Sequence, residues 1–239
     1  MTKNNHTVSW NNIAQFRTWN EAALDIRDEA QRRIVSTVKR SLSGMNRAWT
    51  FERFEAPMIM PRDMLSNEYT SDDIWITDGR IADQEWVLRP ETTPGTYDAI
   101  RRLHSIKPPQ CFWQVGKSFR KEGLTRATRL RFFEFTQLEF QCLYSTDTKA
   151  DYRSKVINDL IPVVANLCAS KVRVIESDRL PSYSQSTLDI EVEHLSKWRE
   201  VASISIRTDF DGLLNLEIAF GLDRIVAIHF DNMEVITDD

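Results

Sequence analysis

The stretch FRKEGLTRATRLRFFEF, residues 119–135, sets seven charged side chains among four phenylalanines. In a hairpin, residues two apart share a face, so Arg120 lines up with Glu122 going out, and Arg131 with Phe133 and Phe135 coming back. Antiparallel pairing would then bring two arginines, a carboxylate and an aromatic ring to one surface. Facing arginines on a half-aromatic surface repel unless an anion lies between them. A triphosphate meets that need, because guanidinium grips phosphate oxygens bidentately and an aromatic face stacks on a purine. Arg224 adds a third cation near the start of a C-terminal helix, an end that favours anions and not cations. Glu217, on the strand leading into that helix, has the chemistry to hold Mg²⁺. Residue by residue, plainer alternatives stand beside these: a salt-bridged hairpin, an Arg224 turned to solvent, a Glu217 paired with a neighbouring arginine.

The rest of the chain narrows the chemistry. Neither G-x-G-x-x-G nor G-x-x-x-x-G-K-[ST] occurs, and there are only 7 glycines, so side chains must hold any phosphate. Cys111, Cys142 and Cys168 are far apart and suggest neither a disulfide framework nor a zinc site, as expected of free thiols in a cytoplasmic protein. The four histidines (His6, His104, His194 and His229) form no clustered pattern and pair with no serine or cysteine nucleophile. A net charge of -4 argues against a protein that coats nucleic acid nonspecifically. No apolar run is long enough for a membrane span, and the polar N-terminus lacks a secretory signal.

Positioning these residues requires a sheet with helices around it. Ile26, Ala30, Ile34, Val38 and Leu42 recur every four residues and predict an amphipathic helix over 21–42, ended by Gly44. A short aromatic strand runs into Pro57 and Pro61, and two short strands over 74–89 flank a Thr77-Asp78-Gly79 turn. β-rich runs flank a predicted hairpin loop at 123–130, and a second helix is expected over about 147–169. Two strands around Asp211-Gly212 carry the strongest hairpin signal, and Gly221 opens the last helix. Hairpins instead of β-α-β units predict an α+β fold with a mainly antiparallel sheet, in one domain spanning 1–239.

Taken together, these blocks resemble the class II aminoacyl-tRNA synthetases. Phe119-Arg120-x-Glu122, a loop and Arg131-x-x-x-Phe135 look like motif 2 (about 112–141), EIAFGLDRI looks like motif 3 (about 214–230), and the segment of about 26–61 looks like a degenerate motif 1. VLRPETTPGTY and STLDIEVEHLSKWREVASISIRTDFD are similar to stretches of glycyl-tRNA synthetases in the same order, so the resemblance covers about 45–230. It implies a class II synthetase-like antiparallel sheet flanked by helices. It implies ATP and Mg²⁺ as cofactors, with an amino acid, glycine first, activated to an adenylate and passed to a tRNA acceptor stem or another acceptor. Carried over, Arg120 would hold the α-phosphate and the amino-acid carboxylate, Glu122 would read the adenine amino group, Phe135 would stack on adenine, and Arg131 and Arg224 would grip the γ-phosphate end. Glu91, Glu139, Arg207, Glu217 and Ala219 would surround the amino acid, with Glu217 also the metal candidate. Lys121, Arg126 and Arg129 would face the acceptor.

Departures accompany the match. Phe133 stands where the family usually has a second motif 2 arginine, and Ala219 where glycyl enzymes carry a serine. The expectation is a core without the anticodon-binding domain, forming a homodimer through the 21–61 segment. The competing reading is a catalytically lapsed synthetase paralogue that serves as a nucleic-acid-binding or regulatory accessory subunit.

Overall fold

The structure, a computed structural model, describes residues 7–9, 17–65, 69–103, 105–122, 130–178 and 184–237. Of the hairpin loop expected at 123–130, residues 123–129, with Arg126 and Arg129, lie outside the described residues. The N-terminal part pairs β1 (Thr7–Ser9) with β2 (Arg17–Trp19) and then enters α1 (Glu21–Met45). Asn20 caps that helix by accepting the Ala23 N–H at 3.0 Å, satisfying one of the orphan donors of the first turn. Ala30, Ile34, Val38 and Leu42 are buried as the four-residue period predicts, but Ile26 is only half-buried and Ala23 takes the buried place in the first turn. Gly44 does not end the helix. The chain runs through it to Met45, and extended Asn46 closes the end by donating its N–H to the Leu42 carbonyl.

Next come β3 (Thr50–Arg53), β4 (Ile59–Pro61), a 3₁₀ turn over Arg62–Met64, β5 (Ile76–Ile81), β6 (Gln84–Leu88) and α2 (Thr93–Arg101). The turn expected at Thr77-Asp78-Gly79 is instead at Ala82-Asp83, whose φ values of 52° and 60° suit a two-residue hairpin. Thr77–Gly79 fall in a register irregularity of β5, a bulge that a glycine tolerates. Burial decides this register, because Ile76 pairs with Val87, which is fully buried against Met60, Leu65 and Ile74.

The remaining elements are β7 (Gln110–Phe119), β8 (Glu134–Ser145), α3 (Tyr152–Cys168), β9 (Val172–Glu176), β10 (Ser184–His194), β11 (Lys197–Phe210), β12 (Leu213–Gly221) and α4 (Leu222–Thr237). The large sheet has the order β3-β7-β8-β12-β11-β10-β9 and is antiparallel throughout except for the β3–β7 edge pair; β4, β6 and β5 form a separate three-stranded sheet. Gly212 turns the β11–β12 hairpin with φ +70°, as the Asp-Gly signal requires. No helix among the described residues is long and apolar enough to cross a membrane.

The two faces of the large sheet differ. One presents Leu138, Phe140, Ile190, Ile204, Ile218 and Phe220 to α1, α3 and α4, and forms the main apolar core. The other presents Gln114, Gln137, Glu139, Gln141, Asn215 and Arg207, all at most 6% exposed. Strand periodicity alternates the two sets, so β8 in the middle of the sheet is polar on one face and yet buried on both. The polar face is covered by α2 and by the loop before it: Thr92 N–H donates to Gln137, Thr96 to Glu139, and Asn215 to Tyr97. A buried polar wall of this kind survives only when its donors and acceptors are paired.

Candidate functional site

Arg120 leaves the end of β7 with its backbone N–H on the Phe133 carbonyl at 3.0 Å, which brings the two arms of the opening stretch together. Its Nε donates to the Pro90 carbonyl at 3.0 Å, Nη2 lies 3.9 Å from Glu91, and the guanidinium sits 5.3 Å from the Phe135 ring centre. Burial works against its charge, but Tyr69, Glu91, Glu122 and Glu200 outweigh burial and hold its pKa above the ordinary arginine value. Burial pushes the Glu91 carboxyl up, against the pull of Arg120 and a hydrogen bond from Tyr69.

Arg131 donates to Glu122 at 3.1 Å, with the arginine side chain 37% exposed. Arg224 donates to the Glu200 carbonyl at 2.6 Å and to the Leu130 carbonyl at 3.4 Å. Its pKa is lowered, first by burial and then, against Glu200, by the nearby charges of Arg120 and Arg131. Arg224 therefore lies near enough to Arg120 and Arg131 to feel the charge of both. The expected repulsion is relieved differently from the sequence argument: Arg120 and Arg131 each have a carboxylate, and Arg224 is held on backbone carbonyls. Arg120 and Arg131 stay a third exposed.

Behind this rim, on the polar sheet face, β8 and β12 pair Ala219 with Glu139 and Glu217 with Gln141. Glu217 Oε2 accepts from Arg207 Nη1 at 2.7 Å and from Gln141 Nε2 at 2.9 Å. Arg207 also donates to Asp209, and the Tyr97 ring centre lies 4.4 Å beneath its guanidinium. Glu139 is fully buried; it accepts from Thr96 at 3.0 Å and from Gln141, and burial together with the charge of Glu217 pushes its carboxyl up to about 7. Lys121 packs elsewhere: its Nζ donates to the Ser71 carbonyl at 3.0 Å and lies 5.7 Å from the Trp75 ring.

The sequence pattern of the tRNA synthetase class II core domain (G, H, P, S and T) matches residues 75–232, which hold both the arginine rim and the polar wall. The chain belongs to this class II core family. Among curated relatives, it is similar to the glycine–tRNA ligase of Macrococcus caseolyticus, 37% identical over 138 residues, and to that of Mycoplasmopsis synoviae, 33% identical over 131. These alignments cover 53% and 52% of the chain but 29% of each relative's length. Two solved class II structures share its fold. A prolyl-tRNA synthetase from Cryptosporidium parvum, solved with halofuginone and AMPPNP, has a TM-score of 0.73 at 14% identity, covering 94% of this chain and 49% of that one. The RNA-binding domain of threonyl-tRNA synthetase from Cryptosporidium parvum Iowa II has a TM-score of 0.70 at 13% identity, covering 95% and 70%.

Class II synthetases use ATP and Mg²⁺, and Glu217 is the residue expected to meet the metal. One Glu217 oxygen already carries the Arg207 guanidinium at 2.7 Å, a cation that repels a second one. Among the described residues, no group of three or more His, Cys, Asp or Glu side chains is gathered to hold a metal ion. Only Oε1 of Glu217 is thus left open to a cation among the described residues. The class II core also relies on residues that sequence reasoning missed. Asp223 is fully buried in the first turn of α4 and accepts the Thr136 N–H at 2.7 Å, fixing the start of β8 beside Phe135 and Arg224. Burial pushes its carboxyl up, while Lys117 and Arg27 pull it down. Arg89, 1% exposed, donates to the Ala56 carbonyl at 2.5 Å and the Lys117 carbonyl at 2.7 Å, and so ties the Pro90–Glu91 loop to β7. A side chain at Gly116 would collide with the Arg89 guanidinium, which explains the glycine.

Proposed function

We propose that this chain activates an amino acid, glycine first, with ATP to form an aminoacyl-adenylate, and passes it to a tRNA or another acceptor. The observation that carries this reading is that Arg120 lies against Phe135 while Arg224 feels the charges of Arg120 and Arg131, with Arg120 and Arg131 part-exposed and able to exchange their carboxylates for phosphate oxygens. In the reaction, a carboxylate oxygen of the amino acid bonds to the α-phosphorus, the bond to the bridging oxygen breaks, and pyrophosphate leaves. No protein nucleophile is needed; positioning and charge stabilisation suffice. Arg120 would sit at the α-phosphate and the amino-acid carboxylate, Arg131 and Arg224 at the leaving pyrophosphate, and Glu122 and Phe135 at the adenine. Mg²⁺ would supply further neutralisation of the phosphates.

The amino acid would lie on the polar wall, its ammonium toward Glu217. Among the described residues Glu217 Oε1 has no partner, while Oε2 is held by Arg207 and Gln141. Glu139 and Ala219 would form the floor beside it. The reading is tested by amino-acid-dependent ATP–pyrophosphate exchange with the purified chain and each of the twenty amino acids. Exchange with glycine is expected. Exchange with a different amino acid would reassign the pocket around Ala219, and ATP binding without exchange would sink the adenylation reading. Absence of ATP binding would favour the accessory-subunit alternative.

A further inference from the structure

Gln141 is fully buried in the middle of β8, between two carboxylates that the fold has placed side by side. Its Nε2 donates to Glu139 Oε1 and, at 2.9 Å, to Glu217 Oε2. A primary amide nitrogen carries two hydrogens, so both are used. On the other side, Oε1 accepts from Asn215 Nδ2 at 2.5 Å, and Asn215 also reaches the Tyr97 hydroxyl at 2.7 Å. These partners favour this orientation of the amide: turned over, its oxygen would face the two carboxyl groups and its nitrogen the Asn215 N–H donor. Asn215 is itself fully buried, so the tether does not move with solvent.

The consequence lies in which oxygens remain. Glu139 spends Oε1 on Gln141 and Oε2 on Thr96 at 3.0 Å and Gln114 at 3.5 Å. Glu217 spends Oε2 on Gln141 and Arg207 and keeps Oε1, with its side chain 16% exposed. Building on the amino-acid pocket proposed above, we infer that Gln141 is a positioning residue of that pocket: its single amide locks Glu139 and one oxygen of Glu217 in place and leaves the other Glu217 oxygen presented to the substrate's ammonium. The arrangement offers one acceptor to a monocation. Arg207 already neutralises one of the two carboxylates, which makes the site a poor host for a dication and a good one for an ammonium.

Two measurements test this, one of them independent of activity. In protein carrying ¹⁵N-glutamine, the Gln141 side-chain amide is expected to give two downfield, slowly exchanging protons. Glu139→Gln should shift one of them and Glu217→Gln the other. A Gln141 amide with ordinary, solvent-exchanging protons would overturn the bridge. In ATP–pyrophosphate exchange, Gln141→Leu should raise the KM for the amino acid about tenfold, with kcat and the KM for ATP within about twofold, because a lost positioning bond weakens ground state and transition state alike. An unchanged amino-acid KM, or an equal loss in the KM for ATP, would leave Gln141 with a merely structural role. If the unsubstituted protein exchanges with no amino acid, the adenylation reading fails and the pocket role fails with it, whereas the amide resonances still decide the bridge.

Discussion

Arg131 meets Glu122 at 3.1 Å with the arginine side chain 37% exposed, whereas Arg207 meets Glu217 at 2.7 Å with its own 7% exposed. The first pair sits beyond the ends of β7 and β8, where the strands have stopped and water reaches the guanidinium. The second is woven into β11 and β12, roofed by Tyr97, and shares its carboxylate with Gln141. At the rim an arginine can trade a carboxylate for an incoming phosphate at little cost, because both states are solvated. On the wall no such trade is open, since removing either partner leaves a buried charge. One fold thus keeps a part-exposed cationic rim beside a buried, hydrogen-bonded polar wall, the contrast on which the proposed phosphate and ammonium sites rest.

The largest expected effect comes from emptying the rim at its centre. Arg120→Ala should lower amino-acid-dependent exchange by about 10²–10³-fold, the usual loss when one charge-stabilising donor is removed. Thermal unfolding should change little, because Arg120 is a third exposed. Undiminished exchange would remove Arg120 from the reacting centre. A comparable fall in melting temperature would make it a structural residue and erase the contrast with the wall.

On the wall the balance reverses. Glu217→Ala removes one carboxylate partner of Arg207 and strips one acceptor from Gln141, both buried. The expected cost is about 3 kcal/mol of folding stability, in the range for breaking a buried ion pair. Denaturant unfolding measures it. A loss under about 1 kcal/mol would show that the wall is as exchangeable as the rim.

Residue chemistry alone pointed to the rim, whereas Glu139 and Arg207 of the wall entered only through the family resemblance and the wall's burial did not show in the sequence, for a physical reason. Arg120, Glu122, Arg131 and Arg224 are unusual residues at unusual places: charges packed among phenylalanines and a cation at a helix start. The alternation of β8 marks Gln137, Glu139 and Gln141 as one polar face, yet nothing in that alternation says that α2 covers it. The Gln141–Asn215–Tyr97 chain joins three separate elements, so no local window contains it. Two hairpins hid for a related reason. Ala82-Asp83 and Leu195-Ser196 adopt positive φ without glycine, because tertiary register outweighs their local preference. The helices and the Asp211-Gly212 turn, whose signals are local, came through apart from the overextended role given to Gly44.

Glu139 gives a pH handle on the wall. Its carboxyl is pushed from 4.5 to about 7 by burial and by Glu217. The folded state therefore binds a proton that the unfolded state has already released in that window, and stability falls as pH rises through it. Glu139→Gln removes this contribution, so the fall in stability between those two pH values should be shallower in the variant. Equal slopes in parallel denaturation series would mean that Glu139 is charged in the fold across the window. Glu91 and Asp223, whose carboxyls burial also raises, keep the remaining slope from vanishing.

The smallest effect sharpens the comparison most. Glu122→Ala breaks the rim pair as Glu217→Ala breaks the wall pair, but Arg131 stays in contact with water, so stability should change by no more than about 1 kcal/mol. The nucleotide should register what folding does not. If Glu122 reads the adenine amino group, the variant should bind ATP more weakly while its discrimination against GTP collapses. If Glu122 only holds Arg131 in place, ATP and GTP binding should fall together. Competition binding of the two nucleotides separates these outcomes. A stability loss as large as that of Glu217→Ala would show that the rim is also built as fixed structure, and the division of labour between the two regions would be gone.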